Sequence, residues 1–298
     1  LEEKINISVL GVIPYFHLDI EDEDSLTERF RKKSRSGLAK IAVIRLPRIS
    51  NFTDIAPLEA VDELDVSYVS NISQFGDPDV VIIPGSKNTI SDLLWMRQNG
   101  LEGKILRHAA KGGIVFGICG GYQMLGQSIS DPTGAEQKGT VRGMGLLPVT
   151  TVFEQEKRRT RVSGRFAKVG GALAEMSGVC YEGYEIHMGR TVLSKGTVPL
   201  VYMEEEGEQR QDGAQSDHVY GCYMHGIFDM SETVKTFLAA VLRKKGIDPS
   251  KITVRDRNAY KEEQYDRLAS IVRENLNMEA VYKIIEKGNE ASCSLLSE

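Results

Sequence analysis

The sequence lacks several features that mark common protein classes. It has few cysteines, and their scatter along 298 residues with no CxxC pair argues against a disulfide framework or a zinc knuckle: Cys119, Cys180, Cys222 and Cys293. No apolar run approaches the ~20 residues that span a bilayer, and no secretory signal pattern is present. We therefore expect a cytoplasmic protein with no structural metal and no membrane partner.

The sequence also has no excess of positive charge and no nucleotide motif. The formal net charge is -5, and the densest basic run, residues 157–161, is short. We expect no nucleic-acid partner, because phosphate contacts need clustered basic side chains. Residues 85–89 lack the GK[ST] end of a phosphate loop, and residues 142–145 give no dinucleotide fingerprint. We expect no cofactor in this chain.

What the sequence does contain is an alternation of strand and helix patterns. Continuous apolar runs predict buried strands over 40–46, 79–83 and 114–118, and helical spacing predicts helices over 89–99 and 101–111. This order predicts an α/β fold with a flavodoxin-like, doubly wound, mostly parallel sheet. We also predict a strand over 5–14, short strands after residue 141 and a helical C-terminal extension.

One cysteine has the surroundings of a nucleophile. Cys119 follows the predicted strand 114–118 and precedes a predicted helix start, with Gly117, Gly120 and Gly121 beside it. Ligand sites in open α/β sheets lie beyond the carboxyl ends of the strands, and a sharp strand-to-helix turn needs small neighbours. The positive end of the following helix favours a thiolate. We expect Cys119 to be a catalytic nucleophile and the other three cysteines to be structural.

A cysteine nucleophile needs a base, and the sequence leaves two histidines open. His225 follows the predicted strand 219–224 and precedes Gly226, so we expect it at a strand end like Cys119. His187 is the rival base, or else a substrate-facing or structural histidine. The remaining histidines are expected to be surface or structural residues: His17, His108 and His218.

Backbone donors for a developing oxyanion are expected at two strand ends. Gly120 follows the nucleophile directly, and its N–H is one candidate donor. Gly85 follows the predicted strand 79–83 and lets the backbone approach a ligand, so its loop is the best candidate for the second donor. Gln123, four residues after Cys119, completes the candidate substrate and oxyanion set.

The same residues carry a family resemblance. The G-x-C-x-G-x-Q spacing of residues 117–123 resembles the nucleophile motif of class I glutamine amidotransferases, and residues 117–126 resemble their cobalamin-pathway branch. Further segments are similar to the amidotransferase portion of the cobyric acid synthase family, and together the matches span nearly the whole chain: residues 44–54, 184–191, 223–229, 265–269 and 276–278.

The resemblance implies a mechanism and partners. Cys119 attacks the amide carbon of glutamine and releases ammonia, His225 shuttles the proton, and water hydrolyses a glutamyl thioester. In that family the ammonia amidates the b, d, e and g carboxylates of adenosylcobyrinic a,c-diamide, so the implied partners are glutamine and, through a synthetase domain, a corrinoid. Many class I relatives carry Glu two residues after the histidine. This chain has Ile227 there, so we assign no third catalytic residue.

The resemblance also predicts a domain division. The family's synthetase domain, which carries a phosphate loop, is missing from this sequence, and ATP and Mg²⁺ are expected only in that domain. We expect residues 1–36 to be its tail plus a linker, residues 37–240 to be the amidotransferase domain and residues 241–298 to be a helical extension. The chain is then a C-terminal fragment or the glutaminase half of a split enzyme.

Other functions are compatible with the same motif. The nearest amidotransferase rivals amidate cobyrinic acid at its a and c positions or a lipid-linked murein precursor, and the run of residues 185–191 favours cobyric acid synthase over both. A cysteine peptidase or other hydrolase on the same scaffold is a rival enzyme. A non-catalytic subunit that uses its pocket only for docking is a rival of another class.

Overall fold

The computed structural model describes residues 2–5, 8–16, 18, 37–205, 208–251 and 257–294. Two compact units are present, one within Ser25–Arg255 and the other formed by Leu1–Asp24 with Asp256–Glu298. The strands are β1 Ala39–Ile44, β2 Ile49–Ser50, β3 Leu64–Val69, β4 Val80–Ile83, β5 Gly85–Ser86, β6 Ile114–Ile118, β7 Ser128–Asp131, β8 Gly139–Arg142, β9 Val149–Phe166, β10 Cys180–Leu193, β11 Val201–Glu205, β12 Glu208–Asp212, β13 Ala214–Ser216 and β14 Val219–Cys222. The helices are α1 Glu2–Ile5, α2 Ala56–Glu59, α3 Thr89–Gln98, α4 Leu101–Ala110, α5 Gly120–Leu125, α6 Ser231–Lys244, α7 Arg257–Asn275 and α8 Met278–Ser294.

A largely parallel sheet forms the core of the larger unit. Its order is β3-β1-β4-β6-β14-β13, and only β13, at one edge, runs antiparallel to its neighbour. Every residue of β4 and β6 is buried, as expected of central strands covered on both faces. The predicted α/β class with a mostly parallel sheet is confirmed, and the carboxyl ends of β4, β6 and β14 meet at one edge.

A second, mostly antiparallel sheet lies in the same unit. Its strands β12, β11, β9, β7 and β8 pair in that order, and β10 pairs with β9. β9 and β10 are 18 and 14 residues long, whereas the sequence predicted only short strands here. The prediction was too short because charged side chains on the exposed face interrupt the apolar pattern, as in the pair of Arg190 with Glu154. The β9–β10 register shifts between His187 and Gly189, which is a β-bulge.

Two further predictions need correction. The described residues 8–16 form no strand; Gly11 makes one isolated bridge with Leu276, and Val12 stays exposed, because no neighbouring strand pairs along this segment. The predicted boundary between residues 240 and 241 falls inside α6. The structure keeps both halves of α6 in the larger unit, since Val241 and Leu242 are buried in its core. The helices α7 and α8 occupy the predicted C-terminal extension.

Candidate active site

Cys119 lies in a strained turn between β6 and α5. Its backbone has φ 51° and ψ -107°, a combination of angles that residues other than glycine rarely adopt. The turn is tight: a Cβ on Gly121 would lie 1.9 Å from the carbonyl oxygen of Ile83 in the neighbouring strand β4. The side chain of Cys119 is 7% exposed. The turn therefore has the backbone geometry of a nucleophile elbow, in which strain and close packing fix the position of the sulfur.

His225 and Asp54 form a buried hydrogen-bonded pair beside this elbow. His225 follows β14, which pairs with β6, so both side chains leave the same edge of the sheet. The Nδ1 of His225 lies 2.7 Å from Oδ2 of Asp54, and Oδ1 of Asp54 accepts a hydrogen bond of 2.8 Å from the N–H of Gly226. Because Asp54 engages Nδ1, Nε2 is the ring nitrogen left to interact with Cys119.

The environment of His225 favours its protonated form. Burial by itself lowers the pKa of His225, but the hydrogen bond with Asp54, the negative charge of Asp54 and the neighbouring Cys119 raise it to about 10. An imidazolium next to a sulfur is the arrangement that activates a cysteine nucleophile. The three side chains together have the geometry of a Cys-His-Asp triad.

A tyrosine and a backbone bridge hold the histidine ring in place. The ring of Tyr184 stacks on that of His225, with centroids 5.3 Å apart and planes inclined by 23°. The two residues also exchange backbone hydrogen bonds of 2.9 and 3.1 Å. Asn51 donates a hydrogen bond of 2.6 Å to the hydroxyl of Tyr184. The ring is therefore fixed on one face by stacking and at Nδ1 by Asp54.

Cys119 opens into a cavity of about 380 Å³, which we call the nucleophile cavity. Among the described residues that line it, Glu136 is the carboxylate and Lys87 is the lysine. The lining comprises Ser50, Asn51, Ser86, Lys87, Thr89, Cys119, Gln123, Ala135, Glu136, Phe153, Ile186, His187 and Met188. The cavity thus presents one negative and one positive side chain near a nucleophile, which matches the two charged groups of a free amino acid.

Backbone hydrogen bonds to a buried aspartate hold the loop that carries Glu136. Asp131, fully buried at the end of β7, accepts backbone hydrogen bonds of 2.8 to 2.9 Å from residues 134–137. Glu136 accepts a hydrogen bond of 2.5 Å from the N–H of Thr89 at the start of α3. Burial raises the pKa of Glu136 to about 7, although hydrogen bonds from Thr89 oppose the shift. This carboxyl group therefore changes its charge near neutral pH.

Of the predicted site residues, Cys119, Gln123 and His187 line this cavity. A Cβ on Gly85 would lie 3.2 Å from Cε1 of His225, so this backbone is close to the histidine, and a Cβ on Gly120 would lie 3.0 Å from the backbone nitrogen of Ser86. The amide of Gln123 is already engaged by Thr89 and Tyr223. His187 lines the cavity wall rather than pairing with Cys119. The predicted roles of these residues stay predictions.

Sequence reasoning missed two residues of the site. Asp54 was not assigned to the site from the sequence, and in the structure its two carboxylate oxygens bond to residues 225 and 226. Glu136 was not singled out at all, since it lies in a loop with no periodic pattern. The one available signal was the position of Asp54 inside the run of residues 44–54 that carries the family resemblance.

Among the described residues, two features concern membranes and metal ions. None of the described helices is long and apolar enough to cross a membrane. In the same part of the chain, no three His, Cys, Asp or Glu side chains come together as a candidate metal site.

A known protein family matches the part of the chain that contains this site. The family model for the CobB/CobQ-like glutamine amidotransferase domain matches residues 40–233, and the chain belongs to this family. It is therefore a glutamine amidotransferase domain. The matched range contains Asp54, Cys119, Glu136 and His225, so the family assignment and the geometry concern the same site.

The individual relatives are cobyric acid synthases. The chain is 53% identical over 292 residues to the cobyric acid synthase of Ruminiclostridium cellulolyticum, a match that covers 97% of this chain and 57% of the relative. It is 44% identical to that of Lachnoclostridium phytofermentans, covering 95% of this chain and 57% of the relative. The predicted resemblance is confirmed. The chain spans about 57% of the length of these two relatives.

A solved structure confirms the fold. PurLQS from Thermotoga maritima superimposes with a TM-score of 0.52 at 17% sequence identity, covering 70% of this chain and 99% of that chain. At this identity the likeness concerns the fold alone. The flavodoxin-like α/β fold predicted from the sequence is thus present.

Proposed function

We propose that this chain is the glutaminase part of a cobyric acid synthase. It would hydrolyse glutamine and supply ammonia for the ATP-dependent amidation of the b, d, e and g carboxylates of adenosylcobyrinic a,c-diamide. The observation that carries the proposal is the juxtaposition of Cys119, His225 and Asp54 at one edge of the parallel sheet. The names of the relatives support the choice of corrinoid over a murein precursor.

The proposed reaction has two stages. The Cys119 thiolate attacks the amide carbon of glutamine, and the resulting oxyanion takes hydrogen bonds from backbone N–H groups at Gly85 and Gly120. The imidazolium of His225 gives its Nε2 proton to the amide nitrogen, the carbon–nitrogen bond breaks, and ammonia leaves with a glutamyl thioester on Cys119. Water then attacks the thioester while His225 takes a proton from it, and glutamate and the thiolate are restored.

The charges around the nucleophile cavity support glutamine as the substrate. Glutamine carries an ammonium and a carboxylate on its α-carbon. We propose that Glu136 binds the ammonium and Lys87 the carboxylate, because they are the lining carboxylate and lysine of this cavity. Buried or half-buried ion pairs with a charged ligand are worth more than exposed ones, since water screens them less.

Asp54 is proposed as the residue that positions the base. A carboxylate at Nδ1 fixes the tautomer and the orientation of the imidazole, and stabilises its protonated form. This assignment supplies the third member that Ile227 cannot provide. ATP and Mg²⁺ are proposed to bind in the portion of the relatives that this chain does not span, and the corrinoid is proposed to reach the chain only through that portion.

The test is the formation of glutamate from glutamine by the wild-type chain and by Cys119→Ala. We expect the variant to lose at least about 10³-fold in turnover, since it lacks the nucleophile, while circular dichroism and thermal unfolding stay those of a folded chain. A glutamine-like chloroketone should label only the wild type. Unchanged glutamate formation by Cys119→Ala would overturn the proposal.

The non-catalytic docking alternative makes a different prediction. A docking subunit would bind glutamine without forming a thioester, even when the ATP-dependent portion, ATP and the corrinoid are present. Mass spectrometry after rapid acid quench distinguishes the two, because a covalent glutamyl adduct on Cys119 forms only in a glutaminase.

A further inference from the structure

The smaller of the two compact units has almost no interior of its own. It contains α1, the segment of residues 8–16, α7 and α8. Among the side chains whose burial is described in this unit, Gln264 is buried and no apolar side chain is. The larger unit, in contrast, has a continuous apolar core. Because folding must offset lost conformational entropy by burying apolar surface, the smaller unit needs a further surface to pack against.

Exposed apolar side chains are concentrated in the same small unit. Most of the large ones among the described residues belong to it: Val12, Ile13, Tyr15, Tyr265, Tyr282, Ile284 and Ile285. Single exposed apolar residues are ordinary on a protein surface, whereas a group of them marks an interaction site. The composition of this surface therefore agrees with the missing interior.

On α8 the apolar side chains form one face of the helix. Met278, Val281, Tyr282 and Ile285 recur at i, i+3, i+4 and i+7, and we call these four residues the α8 face. Tyr282 and Ile285 are 55% and 54% exposed, and Met278 and Val281 are half-buried. This spacing is typical of a helix that places its apolar anchors in a groove of another protein surface.

The opposite side of α8 is charged, and its charge indicates which kind of surface the helix suits. Glu279, Lys283 and Glu286 lie there, and Lys283 pairs with Glu279 at 2.7 Å. A helix that lies on a lipid surface carries an excess of lysine and arginine on its polar side. The three described charges of α8 sum to a negative value, so the α8 face suits a protein surface and not an anionic membrane.

The start of α8 is attached to the first segment of the chain. The side chain of Asn277 caps the helix by accepting a hydrogen bond of 3.1 Å from the N–H of Ala280. The N–H of Asn277 donates one of 2.7 Å to the carbonyl oxygen of Leu10, and Gly11 forms a bridge with Leu276. These contacts hold the beginning of α8 beside residues 10 and 11, and they leave the α8 face uncovered.

We propose that the α8 face docks on the ATP-dependent portion of a cobyric acid synthase, the portion that this chain does not span. The chain covers 57% of the length of each of two relatives, so a large further portion is present in them. The family resemblance predicts that residues 1–36 include the tail of the synthetase domain. The segment that anchors α8 would then continue into that domain, and the partner surface would be an apolar groove that takes Tyr282 and Ile285.

This inference rests on the proposed membership of a cobyric acid synthase and not on the chemistry at Cys119. Its test compares the chain alone with a chimera, in which the chain replaces the 292 matched residues of the Ruminiclostridium cellulolyticum relative. Amide hydrogen exchange over residues 278–286 is measured in both by mass spectrometry. We expect exchange to be at least about tenfold slower in the chimera, because a docked helix opens less often than an exposed one.

Variants of the chimera test whether the face itself makes the contact. Tyr282→Ala and Ile285→Glu should return the exchange over 278–286 to the rate of the chain alone. Alanine preserves helix propensity, so its effect would come from the lost anchor, and glutamate would place a charge in an apolar groove. Glu286→Gln, on the opposite side of α8, is the matched control and should keep the slow exchange.

The chain alone provides a second measurement that does not depend on the chimera. Ile285→Glu should leave its thermal unfolding and its sedimentation unchanged, because nothing covers the face there. A lower unfolding temperature would mean that another part of the same chain covers it, and a wild-type dimer that this variant dissociates would identify a second copy as the occupant.

Either of those results, or equal exchange in the chain alone and the chimera, would overturn the docking proposal. The proposed glutaminase function fails separately, if no thioester forms on Cys119 although α8 is protected in the chimera.

Discussion

The parallel and the antiparallel sheet each place a histidine in the neighbourhood of Cys119, but they hold it differently. His225, at the end of β14, is fully buried and hydrogen-bonded to Asp54. His187, at the bulge of β10, stacks on the Tyr223 ring and lies 2.8 Å from the Gly189 carbonyl oxygen. Its Nε2 is 3.7 Å from Oε1 of Glu185, which is too far for a hydrogen bond. A base for catalysis needs a fixed orientation and a stabilised charge, and only the first arrangement provides both.

This difference between the two histidines indicates that the two sheets have different roles at the site. The carboxyl edge of the parallel sheet positions Cys119 and His225 through buried neighbouring strands, which fix atoms to within small distances. The antiparallel sheet supplies part of the lining of the nucleophile cavity, through Phe153 of β9 and residues 186–188 of β10. Four predictions test this division, beginning with the largest expected effect.

The two histidines should differ most in turnover. We expect His225→Ala to reduce glutamate formation by up to about 10⁴-fold, because proton transfer to the leaving amine is lost, and His187→Ala to reduce it by less than about tenfold. Steady-state kinetics on folded variants measures both. The opposite outcome, with an inactive His187→Ala and an active His225→Ala, would mean that the antiparallel sheet supplies the base.

The carboxylate behind His225 should matter nearly as much as the ring itself. Asp54→Asn removes the charge that orients and stabilises the imidazolium, and we expect kcat to fall by about 10²–10³-fold with little change in KM. As the pH rises, Asp54→Asn should also lose its activity at a lower pH than the wild type does, because Asp54 is among the groups that raise the pKa of His225. Asp79→Asn, at the opposite end of β4, is the control and should behave like the wild type.

The two sheets should also differ in how much their side chains contribute to stability. Ile82 is fully buried at the centre of the parallel sheet, whereas Val152 on β9 is 41% exposed. We expect Ile82→Ala to lower the free energy of unfolding by about 2–5 kcal/mol and Val152→Ala to change it by less than about 0.5 kcal/mol. Urea unfolding gives both values, and similar losses for the two variants would contradict the division.

The smallest effect is expected at the substrate ammonium. With a pKa raised to about 7, Glu136 is ionised above that pH and neutral below it. KM for glutamine should therefore increase as pH falls from 8 to 6. Glu136→Gln should raise KM by about tenfold at pH 8, by loss of a charged hydrogen bond, and make KM nearly independent of pH over this range. A KM that keeps the wild-type pH dependence in this variant would exclude the assignment.

Local sequence patterns predicted the strand-to-helix turn at Cys119. The strand 114–118, the glycines beside Cys119 and the helix that follows are all within ten residues of one another, so their geometry depends on the local backbone. His225 was also identified from its position after a strand, although residue-by-residue reasoning left His187 open. The β9–β10 pair was harder, since its long strands are held by pairing across the chain rather than by an apolar pattern.

The sequence by itself determined the central strands of the parallel sheet, the family and the turn that carries Cys119, because these depend on short-range periodicity and on glycine at fixed positions. Only the tertiary structure identified Asp54, which is 171 residues away from His225 in the chain, and the position of His187 in the lining of the nucleophile cavity. Contacts of this kind depend on where distant strand ends meet. The spacing of residues in the sequence does not show which strand ends come together, since many strand pairings are compatible with the same local pattern.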